Sequence, residues 1–488
     1  MIASRRANIT ITVIVLTASI VLIFSAISNQ SIWIDEAMTA NYARMETSGE
    51  LFRSLWRDKK SEAQMPLGMY LAFLGEKLFG HSEYALRIPN LLWLSLGIWA
   101  FALIGKRIGA VWLPLLPAVH PMVWHYADEA RPYALQIGLA ALLLWATAGL
   151  MSDRRVTGGV LAAFWLSAIA LCATSLLAAI IFTGWLAVLL VICRDKIPRI
   201  SPGQKIFSTA ALLALTLIGI YYLSTIWRGA GGARYWDVSL ANLLFVGFEF
   251  GGFMGFSPGR IVLRTTAQEG IGGLPAVLRP YLAPLVGLAA VYLFFIARLP
   301  AVVGRAGDNR DRSLYRFCLA AIGICGSGLW IICYIVRFPF WGRHLVPLLP
   351  PALLLLAGAA LKMSRAARGI LVGLLLALLL AGSINQRFNK QHQKDDYRTV
   401  AALARAAEDE GKSVFWAACL VTAAYYDYEP ALHYPADPGR EDWRNADMVV
   451  YSKADLFDPA GHIRRWLDSA PYKLSEQYPA FTIWVREE

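Results

Sequence analysis

Two adjacent carboxylates, Asp35 and Glu36, stand in the stretch Trp33-Ile34-Asp35-Glu36-Ala37, just beyond a long apolar run. Such a pair can hold a divalent cation or take a proton from an attacking hydroxyl. It can equally be an acidic helix start that favours the macrodipole. A second concentration of chemistry is His125-Tyr126-Ala127-Asp128-Glu129-Ala130-Arg131-Pro132-Tyr133, between two apolar runs. Ionisable groups at that depth are costly to keep, which makes them functional candidates. The plainer reading is an interfacial ion pair between Glu129 and Arg131, flanked by belt tyrosines.

The elements that must position these residues are membrane spans. Of 488 residues, 57% are hydrophobic and 16% charged, against about 45–50% and about 25% in soluble domains. That excludes a water-soluble globular chain, a disordered one and a coiled coil. The net charge of +12 then raises the question of where the cations lie along the chain. The six cysteines form no pairing framework and no CxxC pattern, so neither disulfides nor a thiolate metal site is expected.

A helix needs about 20 apolar residues to cross a bilayer. That length predicts about eleven spans: 9–27, 84–104, 110–126, 132–151, 156–173, 175–193, 206–224, 280–298, 315–336, 344–361 and 369–386. The first follows Arg5 and Arg6, is longer than a signal-peptide core and lacks a clear A-x-A site, so it reads as uncleaved. Loops on the N-terminal side carry Lys106, Arg107, Arg154, Arg155, the cations of 194–205 and 298–316, then Lys362, Arg365 and Arg368. The short loops on the other side hold only Arg131, Arg337 and Arg343. Cations are retained in the cytoplasm, so the N-terminus is expected there and, for an odd span count, the C-terminus outside.

Residues 28–83 form a first exterior loop in which Leu67, Tyr70, Leu71, Leu74 and Leu78 recur at helical spacing, as an interfacial helix requires. Residues 225–279 are Gly-rich and read as a second exterior loop, a candidate lid. From 387 to 488 the composition is that of a soluble α/β domain. Helices are expected near 396–410 and 460–468, and strands near 413–418, 448–451 and 481–485. Tyr425, Tyr426 and Tyr428 form an aromatic group suited to a sugar ring or to a core.

The order of motifs resembles the polyprenyl-phosphate-sugar-dependent membrane glycosyltransferases of the GT-C class, in the branch of the protein O-mannosyltransferases and the lipid A aminoarabinose transferase. The residues that carry the likeness are the acidic pair Asp35-Glu36, the segment Gln64-Met65-Pro66-Leu67-Gly68-Met69-Tyr70 and the segment Gly80-His81-Ser82-Glu83-Tyr84-Ala85-Leu86-Arg87. To these are added the turn Glu129-Ala130-Arg131-Pro132-Tyr133, the segment Arg343-His344-Leu345-Val346-Pro347-Leu348-Leu349-Pro350 and Asp395-Asp396-Tyr397-Arg398. Met65 stands where the first proline is usual, His344 where tyrosine is, and Thr174-Ser175 where a Thr-His pair is common.

The resemblance implies an all-α polytopic catalytic domain over 1–386, with a small extracytoplasmic α/β domain over 387–488 in the periplasm of a bacterial inner membrane. It implies transfer of a hexosyl or pentosyl group from undecaprenyl phosphate to an extracytoplasmic acceptor, a lipid, glycan or protein, with inversion. No nucleotide or redox cofactor and no nucleic acid would take part. Asp35 would be the base, Glu36 its support and Glu129 the second acid, with Asp128 beside it. Arg131, Arg343 and His344 would clamp the lipid phosphate, since guanidinium forks match phosphate oxygens, and Tyr70 and Tyr133 would line the substrate site. A divalent cation, Mg²⁺ or Mn²⁺, would sit at Asp35 or Glu129. Arg87 is expected to pair with Glu83. A polytopic transporter or lipid flippase is the competing reading; such a protein would keep moving substrate without Asp35.

Overall fold

The computed structural model describes residues 2–152, 156–194, 200–229, 238, 240–259, 262–263, 266, 271–304, 309–434 and 442–487. Arg154, Arg155, Lys196, Arg199 and Arg305 among the loop cations, and Gly231, Gly232 and Gly270 among the loop glycines, lie outside the described residues. The chain divides into two compact units. One comprises Met1–Ile27, Thr47–Leu71 and Arg87–His392; the other comprises Ser28–Glu46, Ala72–Leu86 and Gln393–Glu488.

The larger unit is helical. Among the described residues, seven helices are long and apolar enough to cross a membrane, and Thr10–Ala26, Gly158–Thr174 and Leu176–Ile192 are shorter apolar helices. The protein is thus a multi-pass membrane protein. These ten helices coincide with ten of the expected spans. The exception is 110–126, which forms two short helices, Leu115–Ala118 and Pro121–Ala127. Pro114, Pro117 and Pro121 explain the break, because proline removes a backbone donor and clashes with the preceding turn. Ser175 is extended and caps the next helix by accepting from the Leu177 N–H at 3.2 Å, which separates the two neighbouring helices cleanly.

Burial sorts the helices by role. In Tyr133–Leu150 and Gly342–Leu361, 78% and 83% of the apolar window is buried, so these are the central elements. In Pro202–Trp227 the figure is 11%, as suits a helix that faces lipid with side chains as apolar as its solvent. Gly138 lets Tyr133–Leu150 pack directly on Pro89–Ile108, since a Cβ there would collide with the Trp93 carbonyl. The Gly-rich 225–279 region is not one open loop: it contains the helix Leu240–Phe250. Its Gly255 touches Gly382 of the last membrane helix, where a Cβ would lie 2.5 Å from the Gly382 Cα.

The smaller unit holds a five-stranded sheet of order β2-β1-β3-β5-β4. Its strands are β1 (Val414–Ala417), β2 (Leu432–His433), β3 (Met448–Ser452), β4 (Tyr472–Tyr478) and β5 (Phe481–Arg486). β1 runs parallel to β2 and β3, and β5 runs antiparallel to β3 and β4. β1 and β3 are buried throughout and read as continuous apolar runs. The expected helices appear as Tyr397–Asp409 and His462–Ser469. The helix Ile34–Ala43 belongs to this unit: Ile34 and Met38 pack on the core formed by Tyr397, Val400, Trp416 and Val450.

β1 and β3 are tied at their starts by Asp447, whose Oδ2 accepts from the Ser413 N–H at 2.8 Å and the Ser413 hydroxyl at 2.7 Å. The Ser413 backbone bond first, then its hydroxyl, hold this carboxyl below its ordinary value. A carboxylate so held stabilises the fold above the unfolded value of about 3.9 and loses that contribution as pH falls through the folded value. Solvent screening at this exposed site limits the contribution to on the order of 1 kcal/mol. Asp447→Asn is therefore expected to make melting of the protein in detergent less sensitive to acidification from pH 6 to pH 3, as read by near-UV circular dichroism.

Candidate active site

The helical unit gathers three of the sequence motifs. The turn after the Pro121–Ala127 helix is held by Asn90 Nδ2, which donates to the carbonyls of Tyr126, Ala127 and Glu129 at 3.3, 3.1 and 2.8 Å. Glu129 is buried, with Oε2 3.2 Å from His125 Nε2. Arg131 Nη1 lies 2.9 Å from Glu62 Oε1, and its Nη2 is 3.8 Å from Met65 Sδ. The Gln64–Tyr70 segment thus meets the Glu129–Tyr133 turn, and Gly68 packs so closely on Pro132 that a Cβ would stand 2.8 Å from the proline Cβ. Tyr133 is buried with its ring 4.8 Å from Tyr126, and Tyr70 stacks on Phe52 at 5.5 Å.

Arg87, expected to pair with Glu83, is fully buried and lies 3.8 Å from Asp128. Glu83 accepts from Arg398 Nε at 2.9 Å and from the Tyr426 hydroxyl at 3.0 Å.

The Arg343-His344 segment forms a short 3₁₀ helix, Gly342–Leu348. His344 Nδ1 accepts from the Trp341 N–H at 3.3 Å, which assigns the ring proton to Nε2 and makes that nitrogen a donor. Arg343 is half-buried. The turn is anchored by a residue that sequence reading did not single out, Glu249, a buried carboxylate that accepts from the Gly342 N–H at 2.9 Å. A Cβ on Gly342 would stand 2.6 Å from Glu249 Oε2 and 3.0 Å from its Cβ. Gly342→Ala should therefore cost about 1–3 kcal/mol of stability through overpacking. Thermal melting of the protein in nanodiscs measures it.

In the smaller unit, Asp35 and Glu36 occupy the first turn of Ile34–Ala43. Their fates differ. Asp35 is half-exposed. Glu36 is fully buried, its Oε2 2.9 Å from Lys394 Nζ and 3.4 Å from the Trp33 N–H. Asp396 caps the Tyr397–Asp409 helix at Thr399, Asp395 pairs with Lys453 at 2.5 Å, and Tyr397 lies in the core. The Asp395–Arg398 motif and the Gly80–Arg87 motif thus meet through Glu83 and Arg398.

Glu62, Asn90, Glu249 and Lys394 were not legible as site residues. Glu62 and Lys394 look like surface charges in polar stretches, whereas Asn90 and Glu249 had a usable signal as isolated polar residues in apolar runs. Among the described residues no group of three or more His, Cys, Asp or Glu converges as a cage of protein ligands for a metal would. No step is derived through a cation.

No protein-family model matches this sequence, and no curated protein matches it. Among solved structures, the chain is similar to ArnT from Cupriavidus metallidurans in the apo state, at 14% identity and TM-score 0.55 over 97% of each chain. It is similar to the same protein bound to undecaprenyl phosphate, at 14% identity and TM-score 0.54, again over 97% of each chain. A likeness that runs nearly end to end through both chains gives this protein the GT-C membrane fold of ArnT, the fold that its motifs resemble.

Proposed function

We propose that the protein is an inverting membrane glycosyltransferase that moves a sugar from undecaprenyl phosphate to an extracytoplasmic acceptor. The observation that supports this most is the full-length likeness to a protein bound to undecaprenyl phosphate, joined to the acidic and cationic motifs of the chain. In this reading Asp35 takes the proton of the acceptor hydroxyl, whose oxygen attacks the anomeric carbon. The bond from that carbon to the phosphate oxygen breaks, and undecaprenyl phosphate leaves as a monoester. Arg343, with His344 beside it, meets the charge that develops on the leaving phosphate, where pre-aimed donors act most strongly. Arg131 joins them, while its contact with Glu62 fixes its place. Tyr70, Tyr133 and Asp128 complete the walls.

Glu36 takes a positioning role, because its charge is already matched by Lys394. Glu129 is the second acid, held by the Asn90 clamp. The cation distribution supports a cytoplasmic N-terminus in a bacterial inner membrane, with the α/β unit in the periplasm.

The test is transfer in nanodiscs from a panel of radiolabelled polyprenyl-phosphate sugars. Release of free polyprenyl phosphate that requires an acceptor supports the reading and names the sugar. No release from any donor by folded, lipid-bound protein overturns it.

A further inference from the structure

The smaller unit contains a cavity of about 260 Å³ that the proposed transfer chemistry does not use. One wall is the helix Ile34–Ala43 with its C-cap, presenting Asn41 and Arg44; the other is the helix Leu420–Tyr425, presenting Leu420, Val421, Ala424 and Tyr425. The volume lies below the about 300–1,000 Å³ of sites for drug-sized ligands and suits a group the size of a single sugar ring.

Its polar groups are held in place, and one of them lacks a partner. Tyr425 is 7% exposed, and its Oη is buried with no hydrogen-bond partner among the described residues. Burial drives that hydroxyl well above its usual range, so it stays a neutral donor. A buried unpaired hydroxyl costs about 1–3 kcal/mol, a penalty that a bound polar group would remove. The Asn41 amide is exposed. Arg44 is held in place: its guanidinium stacks over the Tyr425 ring at 4.3 Å, Nη2 donates to the Tyr425 carbonyl at 2.9 Å, and Nε faces His81 Nδ1 at 3.2 Å. Nη1 has no partner among the described residues. Nη2 also meets His81 Nε2, and His81 Nδ1 lies 2.5 Å from Glu76.

We infer that this cavity binds a hydroxylated sugar ring bearing one anionic group, with its apolar face on Leu420, Val421 and Ala424, its hydroxyls on Asn41 and Tyr425, and its anion on Arg44. The inference deepens the transferase reading, on which it rests, by naming an acidic glycan unit as the acceptor feature recognised by the α/β unit.

The test is binding to the full chain in nanodiscs by saturation-transfer NMR, which needs no donor turnover. The probes are methyl β-glucuronide and glucose 1-phosphate for the two anion types, with methyl β-glucoside as the neutral control. An anionic probe should bind about tenfold more tightly than the glucoside, as a charge-assisted contact gives, and Arg44→Gln should erase that ratio. Asn41→Ala and Tyr425→Phe should each weaken binding about fivefold, the loss of one hydrogen bond. Equal binding of all three probes, no binding, or unchanged binding in Asn41→Ala and Tyr425→Phe overturns the site. Selective binding without transfer from any donor would leave the site standing and remove the transferase reading. Transfer without selective binding would do the reverse.

Discussion

Asp35→Asn is expected to lower sugar transfer by about 10²–10⁴-fold, the range that a positioned general base supplies, while the protein melts as the wild type does. The substitution keeps the shape of a half-exposed side chain in the first turn of its helix, so little of the loss can come through folding. Glu36→Gln should behave differently. It removes the buried partner of Lys394, so the melting temperature falls, and residual activity should scale with the folded fraction. Parallel measurement of polyprenyl phosphate release and of thermal melting separates the two acids. If Asp35→Asn retains wild-type release, the base lies elsewhere.

The second large effect is expected at Arg131. Arg131→Met leaves Glu62, which is 3% exposed, with only the Ser61 hydroxyl as a close partner among the described residues. Breaking one side of a buried pair costs about 3–5 kcal/mol, because the remaining charge keeps its desolvation penalty. The double variant Arg131→Met/Glu62→Leu removes both charges and should regain most of that stability, as apolar replacement of a buried pair commonly does. If Arg131 also contacts the lipid phosphate, the double variant stays inactive despite its restored fold. Regained transfer would make Arg131 purely structural. Denaturation curves and release assays on the single and double variants give both readouts.

These expectations also show where reading the chain alone stops. The membrane helices were legible because a run of about 20 apolar residues has few other solutions. Where that failed, at 110–126, three prolines were the visible reason, and apolar content had outweighed them. In the α/β unit, the apolar β1 and β3 were legible and β4 was not. β4 lies at the sheet edge and carries polar side chains along most of its length, so it has no buried face to show in its pattern. The tyrosines at 425, 426 and 428 could not be sorted by sequence. Tyr428 packs on Trp416 at 5.1 Å, Tyr426 bonds to Glu83 and to the Ile32 N–H, and Tyr425 lines a cavity.

The sequence by itself determined the solvent of each segment, the positions of the acidic and cationic motifs, and through them the class of fold. It did so because hydropathy and motif order are local properties of the chain. Only the tertiary structure decided which charge is spent on which partner. Glu36 is committed to Lys394, Arg131 to Glu62, Glu83 to Arg398 and Gly342 to Glu249. Each pair joins residues tens to hundreds of positions apart. The burial that makes such a pairing obligatory comes from packing, which no local pattern records.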